Sequence, residues 1–291
     1  MDLALKRFLQ LNKNGLIVGL DADTIVEENY LNSIYTHFKK HNNTAVSIHF
    51  EHPISGGYAD DHYQLICSYE LHLRYYKNAL SFVGFPFDFY TIGSAFALTA
   101  SAYARQGGMN RRKAGEDFYF INKLIKGEDF GEINNTKVIP SSRISDRVPF
   151  GTGRAMLEAK SNKKDLSYTY SFNAFLELKK WIDLIQRNEL DYHAFPKPVQ
   201  AFLNEKTWLK QKNELTKNTL NHASLVKRFF NIFDAFWVLK FVHFYRDNIQ
   251  SNEKLLDCVN RLLQLNAGIS LKSELEQLGF MRNWDKKRGS N

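Results

Sequence analysis

The chain has 291 residues, 44% hydrophobic and 24% charged, with a formal net charge of +8. That length holds one large domain or two ordinary ones, and the composition is globular, which excludes an extended disordered chain. Two cysteines, Cys67 and Cys258, are too few for a disulfide framework or a cysteine-rich zinc site and fit a reducing, cytoplasmic setting. The basic balance favours anionic partners in general; with no recognised nucleic-acid motif, no nucleic-acid partner is expected.

Met1 to Asn12 reads as a helix carrying Leu3, Leu5, Phe8, Leu9 and Leu11, without the apolar core of a signal peptide. Gly15 to Leu20 is a short apolar run that stops at two carboxylates, Asp21 and Asp23, and reads as a buried parallel strand. Thr24-Ile25-Val26-Glu27 has the pattern of a capping box. It opens a predicted helix in which Tyr30, Leu31, Ile34, Tyr35 and Phe38 recur at helical spacing up to Lys40. Thr44 to Phe50 follows as a strand, Tyr63 to Asn78 as a helix and Gly93 to Thr99 as a short strand. Ser101 to Gln106 is a brief helix stopped by Gly107-Gly108, Glu116 to Ile125 is helical, and Thr136 to Pro140 is a short strand. This alternation gives an α/β class to residues 1–153.

The character changes at about Arg154. Residues 154–291 are rich in Lys, Glu, Leu and Phe and read as an all-helical region, with helices over about 170–187, 195–219, 222–248, 252–266 and 270–279. Leu225 to Tyr245 is the most apolar stretch, yet it holds Lys227, Arg228, Asp234, Lys240 and His243. Charges are expensive inside a bilayer, so a buried or partner-packed helix is expected there, with a peripheral membrane contact as the alternative.

Four clusters carry the residue types of chemistry. Asp21 and Asp23 would stand as paired hard oxygen ligands beyond a strand end, a setting that suits Mg²⁺ or Mn²⁺ carrying phosphates, although an acidic pair also caps helices. Gly93-Ser94-Ala95-Phe96-Ala97 is small enough to let a ligand approach the backbone. Gly107-Gly108-Met109-Asn110 is a turn followed by Arg111-Arg112-Lys113. Gly115-Glu116-Asp117 places two carboxylates at the start of a helix, where the helix dipole alone would favour them. Further on, Ser145-Asp146-Arg147 precedes Gly151-Thr152-Gly153, a turn suited to covering a ligand, and Arg147 can fork onto a pyrophosphate. His49 and His52 lack a third ligand nearby and read as structural, and Asp60-Asp61-His62 reads as a solvated loop. Phe85 to Tyr90 fits either an aromatic wall for a sugar ring or core packing.

The order of these clusters resembles the inverting glycosyltransferases of family 2, which have the GT-A fold, over residues 1–153. The resemblance implies a GT-A-like, partial Rossmann-like sheet followed by the helical region. It implies a nucleotide-sugar donor, a saccharide or lipid-linked acceptor, a Mn²⁺ or Mg²⁺ ion, and a part in polysaccharide biosynthesis. Asp23 would bind the metal, and Asp21 would face the ribose or the metal's water shell. Gly93, Ser94 and Arg147 would meet the donor, Asp117 would be the catalytic base, and Glu116 would help hold the acceptor or the sugar. A metal supplies a Lewis acid for the leaving phosphate and a single carboxylate takes the acceptor's proton, so inversion needs no second nucleophile. The Gln-x-x-Arg-Trp motif of processive members is missing, which argues against processivity. The implied location is cytoplasmic or peripheral to the inner face of the membrane.

Members of that family carry their first strands and most of the base pocket ahead of Asp-x-Asp. Here only Met1 to Leu20 precede it. A truncated frame, a partner chain that supplies the missing half, and a catalytically inactive remnant or subunit are the three expectations this leaves. A further alternative is a haloacid-dehalogenase-like phosphohydrolase, with Asp21 as nucleophile and Asp23 as acid/base, though the later Lys and Gly-Asp-x-x-x-Asp elements are missing in order.

Overall fold

The computed structural model describes every residue except 110–114, 148, 150, 218 and 289–291. The chain divides into two compact units. One holds Met1–Arg74, Phe89–Leu166 and Ser273–Asn291, and the other holds Tyr75–Asp88 and Ser167–Lys272. The division is therefore not one cut near residue 153: a short internal segment belongs with the helical part, and the end of the chain returns to the first unit.

The first unit opens with α1 (Asp2–Gln10), β1 (Leu16–Gly19), β2 (Ile25–Val26), α2 (Tyr30–Lys40) and β3 (Ala45–Phe50). α3 (Asp60–Phe82) begins in this unit. It is followed by β4 (Phe96–Thr99), α4 (Ala100–Arg105), α5 (Glu116–Gly127), β5 (Phe130–Ile139) and α6 (Thr152–Lys160). The fold is mixed α/β. Among the described residues its main sheet has five strands in the order β1-β4-β3-β5-β2. β3 and β5 run parallel, and the β1·β4, β3·β4 and β2·β5 pairs run antiparallel. β1 is thus an antiparallel edge strand and not the parallel strand its apolar run suggests. Burial dictates the apolar run, and burial says nothing about strand direction.

The capping box also fails. Thr24 precedes β2, not a helix, and the residue before α2 is Asn29, whose side chain does not cap it. Asn29 instead bridges to β5, accepting from the Thr136 hydroxyl at 2.8 Å and donating to the Asn135 carbonyl at 3.0 Å. The core packs Tyr30 and Ile34 of α2 against Val46, Ile48 and Phe50 of β3 and Ile133 and Val138 of β5, with Tyr90, Ala95 and Ala97. All six residues of β3 are buried, as expected of an inner strand covered on both faces.

The second unit contains β6 (Tyr168–Thr169), α7 (Phe172–Gln186), α8 (Lys197–Phe202), α9 (Glu205–Thr216), α10 (His222–Ile232), α11 (Ala235–Asn248), β7 (Glu253–Lys254) and α12 (Leu255–Ala267). The two-residue strands β6 and β7 pair, so the region is not purely helical. Two of the long predicted helices are each broken in two by a capping residue. Asn204 accepts from the Thr207 N–H at 2.9 Å and starts α9. Asp234 accepts from the Phe236 and Trp237 N–H groups at 3.1 and 3.2 Å and starts α11. The apolar stretch between Leu225 and Tyr245 is core: Trp181 lies 4.9 Å, ring to ring, from each of Phe229, Phe233 and Trp237, and 5.8 Å from Phe195. No helix among the described residues is long and apolar enough to cross a membrane.

α13 (Glu274–Arg288) closes the first unit through buried charges. Arg74 donates to Glu70 at 2.8 Å, to Asp285 at 2.5 Å and to the Phe50 carbonyl. Arg282 donates to both oxygens of Glu70 at 2.8 and 2.7 Å, and the Tyr90 hydroxyl donates to Asp285 at 2.7 Å. Burial would raise the Glu70 carboxyl, but Arg74, His52 and Arg282 hold it well below the usual carboxylate range. Charges taken out of water persist only when each is paired in this way.

Candidate functional site

β1 ends at Gly19, opposite Phe96, so the end of β1 and the start of β4 share one place at the sheet's margin. Asp21 and Asp23 occupy a turn just beyond it, closed by the Thr24 N–H donating to the Asp21 carbonyl at 3.1 Å. Gly93 and Ser94 form the turn entering β4, where the Ala95 N–H reaches the Ile92 carbonyl at 3.0 Å, and Ser94 is buried. A side chain at Gly19 would meet the Gly93 carbonyl at 2.8 Å, so the two turns touch backbone to backbone.

The third arm is the first turn of α5. A Cβ at Gly93 would stand 2.1 Å from the Asp117 Oδ2, so the carboxylate rests directly on that glycine. The Phe118 N–H donates to Asp117 Oδ1 at 2.7 Å. Burial raises the Asp117 carboxyl above its ordinary value, and the charges of Glu116 and Asp21 push it further, against the opposing hydrogen bond from Phe118. Asp21 is raised in the same way, by burial first and then by Asp23, with Arg147 and Arg143 pulling it back and Glu116 adding to the rise. Asp21, Asp23, Gly93, Ser94, Glu116, Asp117 and Arg147 therefore converge, although the sequence spreads them over more than a hundred positions. Asn110 to Ala114, including Arg111, Arg112 and Lys113, and likewise Val148 and Phe150, lie outside the described residues.

Three residues join the site without a clear signal in the sequence. Arg143 pairs with Asp23, Nε to Oδ2 at 2.5 Å. Its loop is pinned on both sides: the Ser142 hydroxyl meets His62 Nε2 at 3.0 Å, and the Ser145 N–H donates to the Gly153 carbonyl at 3.1 Å. His62 is thus buried and holds the arginine loop, contrary to the expected solvated loop, while its neighbours Asp60 and Asp61 are exposed at the start of α3. Tyr69, on α3, is raised above the ordinary phenol value by burial and by Asp117, against a hydrogen bond with Thr152. Thr152 in turn faces His52 Nε2 at 3.4 Å, and His52 Nδ1 meets Glu70 at 3.1 Å. Thr152 opens α6, so the Gly-Thr-Gly segment is a helix start more than a free turn.

His49 and His52 serve structure, as read from the sequence: His49 pairs with Glu51 at 3.0 Å. Phe85 and Tyr90 are both buried, one in each unit, which favours core packing over a sugar-facing wall for those two rings. Among the described residues no group of three or more His, Cys, Asp or Glu side chains comes together as a ready metal cage. The donor set fits a different arrangement. Asp23 and Asp21 offer hard oxygens at the surface, those of Asp21 partly shielded from water, whose mutual repulsion a cation would relieve, and a Mg²⁺-type ion commonly takes one or two carboxylates and fills the rest of its shell with phosphate oxygens and water.

No protein-family model and no solved structure matches the chain. Over 96 residues, 33% of the chain, it is 28% identical to a protein described as DNA replication and repair protein RecF, from Shewanella baltica (strain OS223). The chain spans about a quarter of that curated relative's length, 24%, a similarity too short to carry a family or an activity to this protein.

Proposed function

We propose that this chain carries the catalytic part of a metal-assisted, inverting glycosyltransferase of the family 2 type on a GT-A-like sheet. The observation that carries the reading is the meeting of the Asp21/Asp23 turn, the Gly93 turn and the Glu116-Asp117 helix start, with the Asp117 carboxylate resting on Gly93. The half-buried, raised carboxyl of Asp117 suits a general base, because proton transfer is most effective from a group whose pKa has moved toward the working pH. Asp117 takes the proton of an acceptor hydroxyl as its oxygen bonds to the anomeric carbon. The bond from that carbon to the phosphate oxygen breaks, and its electron pair leaves with the diphosphate. Asp23, with Asp21 beside it, would hold the divalent ion, which when bound neutralises charge on the leaving phosphate. Arg147 offers a second, planar contact to phosphate. Glu116, beside Asp117 in the first turn of α5, would orient the sugar or the acceptor.

β1 is the edge of the main sheet, and the neighbouring α1 buries none of its residues, with Leu3 and Leu9 exposed. Further strands that complete a nucleotide pocket, from this polypeptide or from a partner chain, would pair at that edge. The test is a thermal melt with and without Mn²⁺ and a panel of UDP-, GDP- and dTDP-sugars. With those strands supplied, the expected result is a metal-dependent rise in Tm with one donor, lost in Asp23→Ala and kept in Asp117→Asn, whereas sugar transfer is lost in both; without them the chain is expected to bind donor weakly or not at all. Phosphate release from a phosphomonoester, abolished by Asp21→Asn and with no donor-dependent shift, would replace this reading with the phosphohydrolase alternative.

A further inference from the structure

We propose that Arg143 is an internal counter-cation that occupies the metal-ligating oxygen of Asp23 while no donor is bound, and that its guanidinium moves to the diphosphate when the metal and donor arrive. This rests on the reading of Asp23 as the metal ligand. Three observations point to it. First, the Nε of Arg143 lies 2.5 Å from Asp23 Oδ2, so guanidinium and divalent ion would compete for one carboxylate. Second, the site gathers four carboxylates, Asp21, Asp23, Glu116 and Asp117, with Arg143 and Arg147 as the cations acting on Asp21. Without a cation at Asp23 that negative charge would be left to Arg147, and with both a metal ion and Arg143 at Asp23 the two cations would repel. Third, the backbone of the loop is held through Ser142 and Ser145, whereas the side chains of Arg143 and Asp23 are 47% and 40% exposed. The anchor is fixed while the charged end borders solvent, and the guanidinium fork fits phosphate as well as it fits carboxylate.

A surface ion pair with no such role would leave metal binding untouched. The experiment therefore reads two affinities. Mn²⁺ binding is titrated by electron paramagnetic resonance, without nucleotide, on the wild type, Arg143→Gln, Arg143→Lys and Asp23→Asn. Pyrophosphate binding is then measured calorimetrically with Mn²⁺ saturating. The expected signature is a pair of opposite changes. Arg143→Gln tightens Mn²⁺ binding by up to about fivefold, the scale of one half-exposed ion pair. It also weakens pyrophosphate binding by roughly ten- to a hundredfold, the loss of one charged hydrogen bond. Arg143→Lys falls between the two in both measurements. Mn²⁺ bound through Asp23 with equal or weaker affinity in Arg143→Gln overturns the proposal and leaves the metal reading intact. No Mn²⁺ binding by the wild type or by Arg143→Gln, or binding that Asp23→Asn does not weaken, overturns the metal reading and the proposal with it.

Discussion

The Oδ2 of Asp117 lies 2.1 Å from the point where a Cβ of residue 93 would begin. Glycine at 93 and carboxylate at 117 are therefore two halves of one fitting. Gly93→Ala must push the carboxylate away, and a displacement of about 1 Å at a reacting group costs on the order of a hundredfold in rate. The expected outcome is loss of transfer of that order with the circular dichroism spectrum unchanged. Near-normal turnover by Gly93→Ala would remove Asp117 from the role of base.

Asp117→Asn should raise stability while abolishing transfer. The folded-state pKa of Asp117 is raised above its ordinary 3.8 by burial and then by Glu116 and Asp21. A raised carboxyl favours the proton-bound form in the fold. Its stabilising share is thus complete below 3.8 and is lost as pH rises through the folded value, leaving an ionised, half-buried carboxylate that costs stability at neutral pH. Melts of wild type and variant at pH 7 and again well below 3.8 check this: the Tm gain is expected at pH 7 and should vanish in acid.

The acid limb of the transfer reaction should sit above 3.8, because Asp117 must be ionised to accept a proton. Asp21 is one of the charges that raise Asp117, so Asp21→Asn should move that limb to lower pH. A pH–rate profile in which the limb stays in place would show that the two carboxylates do not communicate.

Asp285→Ala should cost about 3–5 kcal/mol, because it leaves Arg74 buried with one carboxylate fewer. Glu70→Gln should behave similarly, with a pH signature of the opposite sign to Asp117. The depressed Glu70 carboxyl contributes stability above its ordinary 4.5 that is lost as pH falls toward the folded value. Urea unfolding across pH should therefore show the largest difference between Glu70→Gln and wild type above 4.5 and a shrinking one below.

Asp234→Ala removes the acceptor for the second and third N–H groups of α11 and should cost about 1 kcal/mol. Urea unfolding checks it, and Asp234→Asn should recover most of the loss.

The sequence was most readable where one local property decides the structure. The helical spacing from Tyr30 to Phe38 led to α2, because burial of one helix face imposes that spacing, and the apolar Ala45, Val46, Ile48 and Phe50 led to β3, because a strand covered on both faces is apolar along its length. β5 was half hidden: only its end, from Thr136, reads as a strand, since Glu132, Asn134 and Asn135 are poor strand formers; Glu132 is kept there by pairing with Ser47 of β3, whereas Asn134 and Asn135 lie at the irregularity between Ile133 and Val138, tied to the Asp285 carbonyl and to Asn29. Asn204 and Asp234 passed unnoticed inside apolar or charged helical runs, yet each is the side chain that starts a new helix. At the site, the acidic pairs and Gly93 were visible as residue types in order. Arg143, His62 and Tyr69 were not, because their part depends on which loop lies beside which carboxylate, and pairing across 120 positions leaves no local trace.

The return of α13 to the first unit also sets a schedule for making this protein. Residues 70 and 74 leave the ribosome long before residues 282 and 285, which complete their charge pairs. Until then the nascent α3 carries Glu70 and Arg74 without those partners, and burying them costs their dehydration. The unit that emerges first is thus the one that finishes last. A frameshift or protease cut between residues 272 and 281 would remove Arg282 and Asp285 together, and so would strike the interior of the first unit at Glu70 and Arg74, more than two hundred positions away.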